Sequence, residues 1–231
     1  MTRHAVITGA TGGLGGAVVK RFLSAGYGVI AVDVRPDADE WLAGMGHPEQ
    51  LRYRQLDVMD PAAVQKLAGE LRVNPAGLDV LVNLVGGFVW AGIMDTDAET
   101  LDRMLDLNVR STYTMTRGLL PLLNESEHGR VINVGARQAL AGGPNVTAYA
   151  LSKAAVVNFT QSLAAELKES SVTVNAVVPS IIDTPANRRD MPQADFDAWV
   201  EPADLAHVIH FLASEEARAV SGAILPVYHK A

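Results

Sequence analysis

Tyr149 and Lys153 lie four residues apart in the segment Ala148-Tyr149-Ala150-Leu151-Ser152-Lys153. On a helix, positions i and i+4 share a face, so a phenol and an ammonium at this spacing can meet one ligand. A free tyrosine ionises near pH 10. A cation within a few ångströms lowers that by roughly 1–3 units, which predicts a phenol able to exchange protons near neutral pH.

A second group of residues binds rather than reacts. The chain opens Arg3-His4-Ala5-Val6-Ile7-Thr8-Gly9-Ala10-Thr11-Gly12-Gly13-Leu14-Gly15. A short apolar run reads as a buried strand, and Leu14, Val18, Phe22 and Leu23 form the apolar face of a following helix. Strand, glycine turn and helix together make a dinucleotide fingerprint. Gly9 permits the turn, Gly13 lets backbone approach a pyrophosphate, and Gly15 lets the helix pack on the strand. The helix N-terminus supplies N–H groups and a positive dipole end for phosphate. The next strand, Gly28–Asp33, ends in a carboxylate 18 positions beyond Gly15. An acid placed there accepts hydrogen bonds from the adenosine ribose and repels a 2′-phosphate, which favours NADH over NADPH; the nearby Arg35 softens the preference.

The elements that position these groups alternate along the chain. Strand-like runs fall at about 4–8, 28–33, 51–56, 79–84, 130–134, 172–178 and 223–227, with helical stretches at about 13–25, 60–72, 98–122, 148–168 and 202–213. This alternation predicts an α/β chain: one Rossmann domain over 1–231 with a doubly wound, seven-stranded parallel sheet and helices on both faces. Ligands bind such sheets at the carboxyl ends of the strands. Asp57, Asn83, Ala136 and Pro179 follow strands and are expected there with the glycine loop. The stretch 179–200 is long, irregular and rich in Pro, Asp and Asn, and is read as a substrate lid.

Composition narrows the partners. A net charge of −7 over 231 residues argues against nucleic acid. The absence of cysteine excludes disulfides and suits a cytoplasmic protein. Neither a signal peptide nor a membrane span is expected. His207 and His210 are three apart on an expected helix, but with no further ligand in view no metal site is expected.

Taken together these motifs resemble the short-chain dehydrogenase/reductase family over essentially the whole chain. Thr8 to Gly15 is similar to its Thr-Gly-x-x-x-Gly-x-Gly motif, in which Thr11 and Leu14 also contact the cofactor. Asp57-Val58 resembles the pair that meets the adenine. Asn83-Leu84-Val85-Gly86 resembles its Asn-Asn-Ala-Gly segment. Asn108 matches the asparagine of a water-mediated proton relay, and Tyr149 and Lys153 match the catalytic pair. Pro179 to Thr184 resembles Pro-Gly-x-x-x-Thr with Ser180 for glycine, which implies Ile182 and Thr184 beside the nicotinamide. The resemblance also implies a homodimer or homotetramer acting on a small molecule.

One departure is chemical. The family carries a serine 13 residues before the tyrosine, and Ala136 stands there. Losing one donor to a developing oxyanion costs about 10²–10³ in rate. Gln138 and Asn145 are the nearest amides in sequence. The segment 179–200, the acid Asp33, Ala136 and Gly86-Gly87-Phe88-Val89-Trp90 resemble the quinonoid dihydropteridine reductase branch, whose acceptor is already activated. That resemblance implies hydride transfer to a quinonoid dihydropterin, with Tyr149 as proton donor, Lys153 assisting, and Phe88, Trp90 or Trp199 stacking on the pterin. Trp199 is expected to close over the substrate with the lid. The alternatives are a carbonyl, ketoacyl or alcohol oxidoreductase of the same family, and a catalytically weak NAD-binding redox sensor.

Overall fold

The computed structural model describes residues 2–47, 49–73 and 77–231. Strands β1 (His4–Thr8), β2 (Gly28–Asp33), β3 (Leu51–Gln55), β4 (Val80–Asn83), β5 (Arg130–Val134), β6 (Thr173–Pro179) and β7 (Ile224–Val227) form one sheet in the order β3-β2-β1-β4-β5-β6-β7. Every pairing is parallel. Strand side chains alternate between faces, so each apolar strand feeds two cores. Ala5, Ile7, Val29, Ala31, Val80 and Val82 pack on one side, under α1 (Gly13–Ser24) and α9 (Pro202–Ala213). Val6, Ile30, Val32, Leu81, Val131 and Val174 pack on the other, under α3 (Pro61–Leu71) and α5 (Ser111–Glu125). The order of strands reverses between β1 and β4, which opens the crevice where open α/β sheets bind ligands.

Helix starts carry their own signals. Asp60 caps α3 by accepting from Ala62 N at 2.9 Å, with Pro61 at the first position, where a missing N–H costs nothing. Asp97 caps α4 (Ala98–Leu105), accepting from Thr100 N at 2.8 Å.

The structure revises three expectations. The expected continuous helix 98–122 is α4, a π-helical turn at Asp106–Arg110, and α5. The hydroxyls of Ser111 and Thr112 bond the carbonyls of Leu107 (2.6 Å) and Asn108 (2.9 Å), satisfying acceptors that the widened turn leaves free. The stretch 179–200 is not irregular throughout. Thr184 accepts from Asn187 N at 3.2 Å and starts the short helix α8 (Pro185–Asp190), and Ile182 bridges Val200. Helices α2 (Asp39–Met45) and α6 (Gln138–Ala141) were absent from the sequence reading because neither has a fully buried residue to mark a stripe. The Tyr149 helix is α7 (Thr147–Glu166). Among the described residues no helix is long and apolar enough to cross a membrane.

Candidate active site

β1 and β4 are tied together where the crevice opens. Thr8 Oγ1 accepts from Leu84 N at 3.0 Å. Gly9 turns the chain with φ +62°, and a Cβ there would stand 3.2 Å from the backbone of Leu84 and Val85. Both the left-handed conformation and the tight approach require glycine. Gly12 precedes the first turn of α1, and Gly13 in that turn is exposed. The N–H groups of that first turn are those a helix leaves unpaired. A Cβ on Gly13 would lie 2.8 Å from Thr184 Cγ2, so Thr184 at the start of the lid packs directly on the glycine loop and Gly13 must lack a side chain. A glycine loop that brings backbone to the surface at a helix N-terminus has the N–H donors that suit a pyrophosphate. Leu14 lies half-buried against the core.

Asp33, at the end of β2, braces the same loop. Its Oδ2 accepts from Thr11 N at 3.0 Å and Thr11 Oγ1 at 2.8 Å, and its Oδ1 accepts from Val34 N at 2.8 Å. A carboxylate has about four acceptor positions, so capacity remains for a ribose hydroxyl. Val58 is buried, while Asp57 is exposed and turns the chain by accepting from Met59 N at 2.9 Å.

Asn83, expected as a cofactor contact, directs its side-chain amide into the sheet. Its side chain is buried, and Nδ2 donates to Thr116 Oγ1 (3.1 Å) and to Asn133 Oδ1 (2.9 Å). Asn133 in turn donates to Thr160 Oγ1 at 2.9 Å. The side chain of Asn83 thus joins the sheet to α5 and α7. A strand-end position alone does not reveal which side of the sheet a side chain faces.

The catalytic candidates converge after β4 and β5. Asn108, buried in the π-turn, accepts from Gly87 N at 3.0 Å and donates to Gly87 O at 3.1 Å and Ser152 Oγ at 3.0 Å. Ser152 Oγ donates to Tyr149 O at 2.7 Å. Asn108 therefore clamps the Gly86–Gly87 loop to the turn of α7 that carries Tyr149. Lys153 Nζ donates to Val134 O at 2.9 Å. A Cβ on Gly86 would lie 2.7 Å from Asn108 Oδ1 and 3.2 Å from Lys153 Nζ, so glycine is the residue that leaves both groups in place.

Burial sets the protonation of the pair, against the sequence expectation. The Tyr149 phenol is pushed up to about 12 by desolvation, and the Lys153 ammonium is pushed down to about 8 by the same cause. The ring of Phe88 stands edge-on to Tyr149 at 4.9 Å, and the lysine head is engaged by a backbone carbonyl. Desolvation therefore outweighs the charge effect that spacing alone predicts.

Of the tentative substrate residues, Phe88 and Trp90 are exposed at this mouth, on the loop that Ala91 joins to Val146 just ahead of α7. Ala136 is buried, and Gln138 is half-buried at the start of α6. Trp199 departs from expectation. It is only 4% exposed and packs on Phe196 at 4.8 Å, next to the bridge from Val200 to Ile182, so it anchors the lid from beneath. An indole that large and apolar contributes more by burial than by waiting in solvent for a substrate. Pro179 ends β6, while Ile182 and Thr184 begin the lid over the glycine loop. His210 Nδ1 faces Arg21 Nη2 at 3.1 Å, and among the described residues no group of acids and histidines could hold a metal ion. Sequence reasoning missed Ser152 and the π-turn. A serine beside a lysine carries no signal of its own, and its role depends on Asn108 arriving from another helix.

Comparison with known proteins agrees with this geometry. Residues 3–195 match the family described as short chain dehydrogenase. The oxidoreductase UcpA of Salmonella typhimurium is 30% identical over 95% of this chain and 90% of its own length. The structure of ElxO with NADP bound superposes with a TM-score of 0.92 at 26% identity, covering 98% of this chain and 97% of that one. A 3-ketoacyl-(acyl-carrier-protein) reductase from Brucella melitensis, complexed with NADH, superposes with a TM-score of 0.85 at 30% identity, covering 97% and 96%. With the family match over 3–195 and a seven-stranded parallel sheet shared with the solved relatives, the chain belongs to the short-chain dehydrogenase family of oxidoreductases.

Proposed function

We propose that the chain is an NADH-dependent reductase of a small carbonyl compound, with Tyr149 as the proton donor and Lys153 assisting it. The observation that carries this reading is the protonation of the pair. A phenol held near 12 keeps its proton at neutral pH and is matched to giving it up to a developing alkoxide, not to removing one from a resting alcohol. Lys153, at about 8 and on the same helix face, can restore that proton. When bound at the glycine loop, a reduced nicotinamide dinucleotide supplies hydride to the substrate carbon. The glycine loop and Thr184 would hold the pyrophosphate and nicotinamide ends, and Asp33 the adenosine ribose.

The ketoacyl reductase among the relatives supports a carbonyl substrate for this chain. A second reading, a quinonoid dihydropterin as acceptor, draws on Ala136 and on the exposed Phe88 and Trp90. A conjugated electrophile needs less help from a hydrogen-bond donor, and two exposed aromatic rings suit a flat ligand.

The test is NADH and NADPH oxidation by the purified protein with acetoacetyl-CoA, simple ketones and quinonoid dihydropterin generated in situ. Turnover on ketones supports the first reading, and turnover confined to the pterin replaces it with the second. Tighter binding of NADPH than of NADH would overturn the role given to Asp33.

A further inference from the structure

We propose that Gln138 is a catalytic residue whose side-chain amide donates to the substrate's carbonyl oxygen, the work that serine at position 136 does elsewhere in the family. The inference rests on the carbonyl reading above. Ala136 offers a buried methyl, so a carbonyl set against Tyr149 finds only the phenol as donor from that pair of positions. An oxyanion held by one donor instead of two reacts about 10²–10³ more slowly.

The backbone places Gln138 for this role. Arg137 N donates to Pro179 O at 3.0 Å and pins the exit of β5 to the end of β6. The chain then turns into α6, whose first residue is Gln138, and α6 packs against α7. Gln138 Cγ lies 3.7 Å from where a Cβ of Gly143 would sit, and Val146 Cγ2 lies 3.2 Å from the same point. The side chain is thus folded over Gly143, in the short turn that leads into α7, six residues ahead of Tyr149. It is half-buried, and among the described residues its amide makes no hydrogen bond. A half-buried amide left without a protein partner beside a substrate cleft is available to a ligand.

The other amide, Asn145, is exposed in a left-handed turn (φ 57°), and its carbonyl accepts from Ala91 N at 2.8 Å, which holds it on the Ala91 side of the turn. Ser152 is held between Asn108 and Tyr149 O. With a reduced dinucleotide bound to supply the hydride, a C–H bond would form as the carbonyl π bond breaks. The oxygen would take its proton from Tyr149, and Gln138 Nε2 would keep its hydrogen and only donate a bond to the oxygen.

The test compares wild type, Gln138→Leu, Gln138→Glu and the double variant Ala136→Ser/Gln138→Leu, with acetoacetyl-CoA and NADH as probes. Gln138→Glu keeps the shape and replaces the donor with an acceptor at neutral pH. Both single variants are expected to lose kcat by about 10²-fold with the Kd for NADH unchanged. The double variant is expected to recover most of the loss, an outcome that a merely structural role for Gln138 does not produce. Wild type that turns over acetoacetyl-CoA while Gln138→Leu and Gln138→Glu match it would overturn the proposal alone. Wild type inert toward acetoacetyl-CoA and every ketone overturns the carbonyl reading first, and the role of Gln138 with it.

Discussion

Tyr149→Phe is expected to lower kcat by roughly 10²–10⁴-fold for whichever substrate the protein turns over, because it removes the proposed proton donor and leaves the ring. The phenyl ring retains its edge-on contact with Phe88 at 4.9 Å, and the carbonyl of residue 149 still accepts from Ser152. Cofactor affinity, read by quenching of NADH fluorescence, should therefore be unchanged. A variant that keeps more than about a tenth of wild-type kcat sinks the assignment. The pH profile of the wild type tests the same assignment from the other side. Raising the pH removes the Lys153 proton first, at about 8, while the phenol holds its own to about 12. Reduction should accordingly slow as pH rises through about 8 and the reverse oxidation should speed up. A profile flat across that range would separate Lys153 from proton supply.

Gly15→Ala is expected to abolish dinucleotide binding at millimolar concentration and to lower stability by at least about 1–3 kcal/mol, the usual cost of forcing extra volume into a packed site. A Cβ on Gly15 would lie 2.1 Å from Gly9 O and 2.7 Å from the carbonyl carbon and oxygen of Ala10. These are backbone atoms of the turn itself, and Gly9 is already fixed against Leu84 and Val85, so the strain cannot pass to a flexible side chain. The start of α1 must lift off the loop, and the N–H cradle opens with it. The neighbouring Gly16→Ala is the control. Its Cβ would meet only Met45 Cε at 3.5 Å and Trp41 Nε1 at 3.7 Å, ordinary contacts, and replacing glycine within a helix is favourable by up to about 1 kcal/mol. Thermal melting and NADH titration of the two variants side by side separate a steric effect at one position from a general cost of losing glycine.

Most of the sheet was legible in the sequence because its strands are short, apolar and bounded by turn residues, a pattern set by local chemistry. β1, β2 and β5 match their expected bounds, and the others shift by a residue or so at their ends. The fingerprint glycines were legible for a related reason. A left-handed φ at Gly9 and a backbone contact at Gly15 are demands that only one residue type meets, so the residue reveals the geometry. The spacing of Tyr149 and Lys153 was legible because a helix fixes which residues share a face.

What the sequence alone determined was therefore local: the elements, the glycine turn and the tyrosine–lysine face. Tertiary structure decided everything that depends on what comes to meet a residue from elsewhere. That the Asn83 amide is held by Asn133 and Thr116 depends on a neighbouring strand and on α5. Trp199 looked like a lid until burial made it an anchor. The π-turn that delivers Asn108 to Ser152 and Gly87 has no periodic signature, since one widened turn leaves the apolar stripe on either side unchanged. The direction of the Tyr149 shift reversed for the same reason. Spacing reports a neighbouring charge, while desolvation is the sum over every group that excludes water, and only the folded chain assembles that sum.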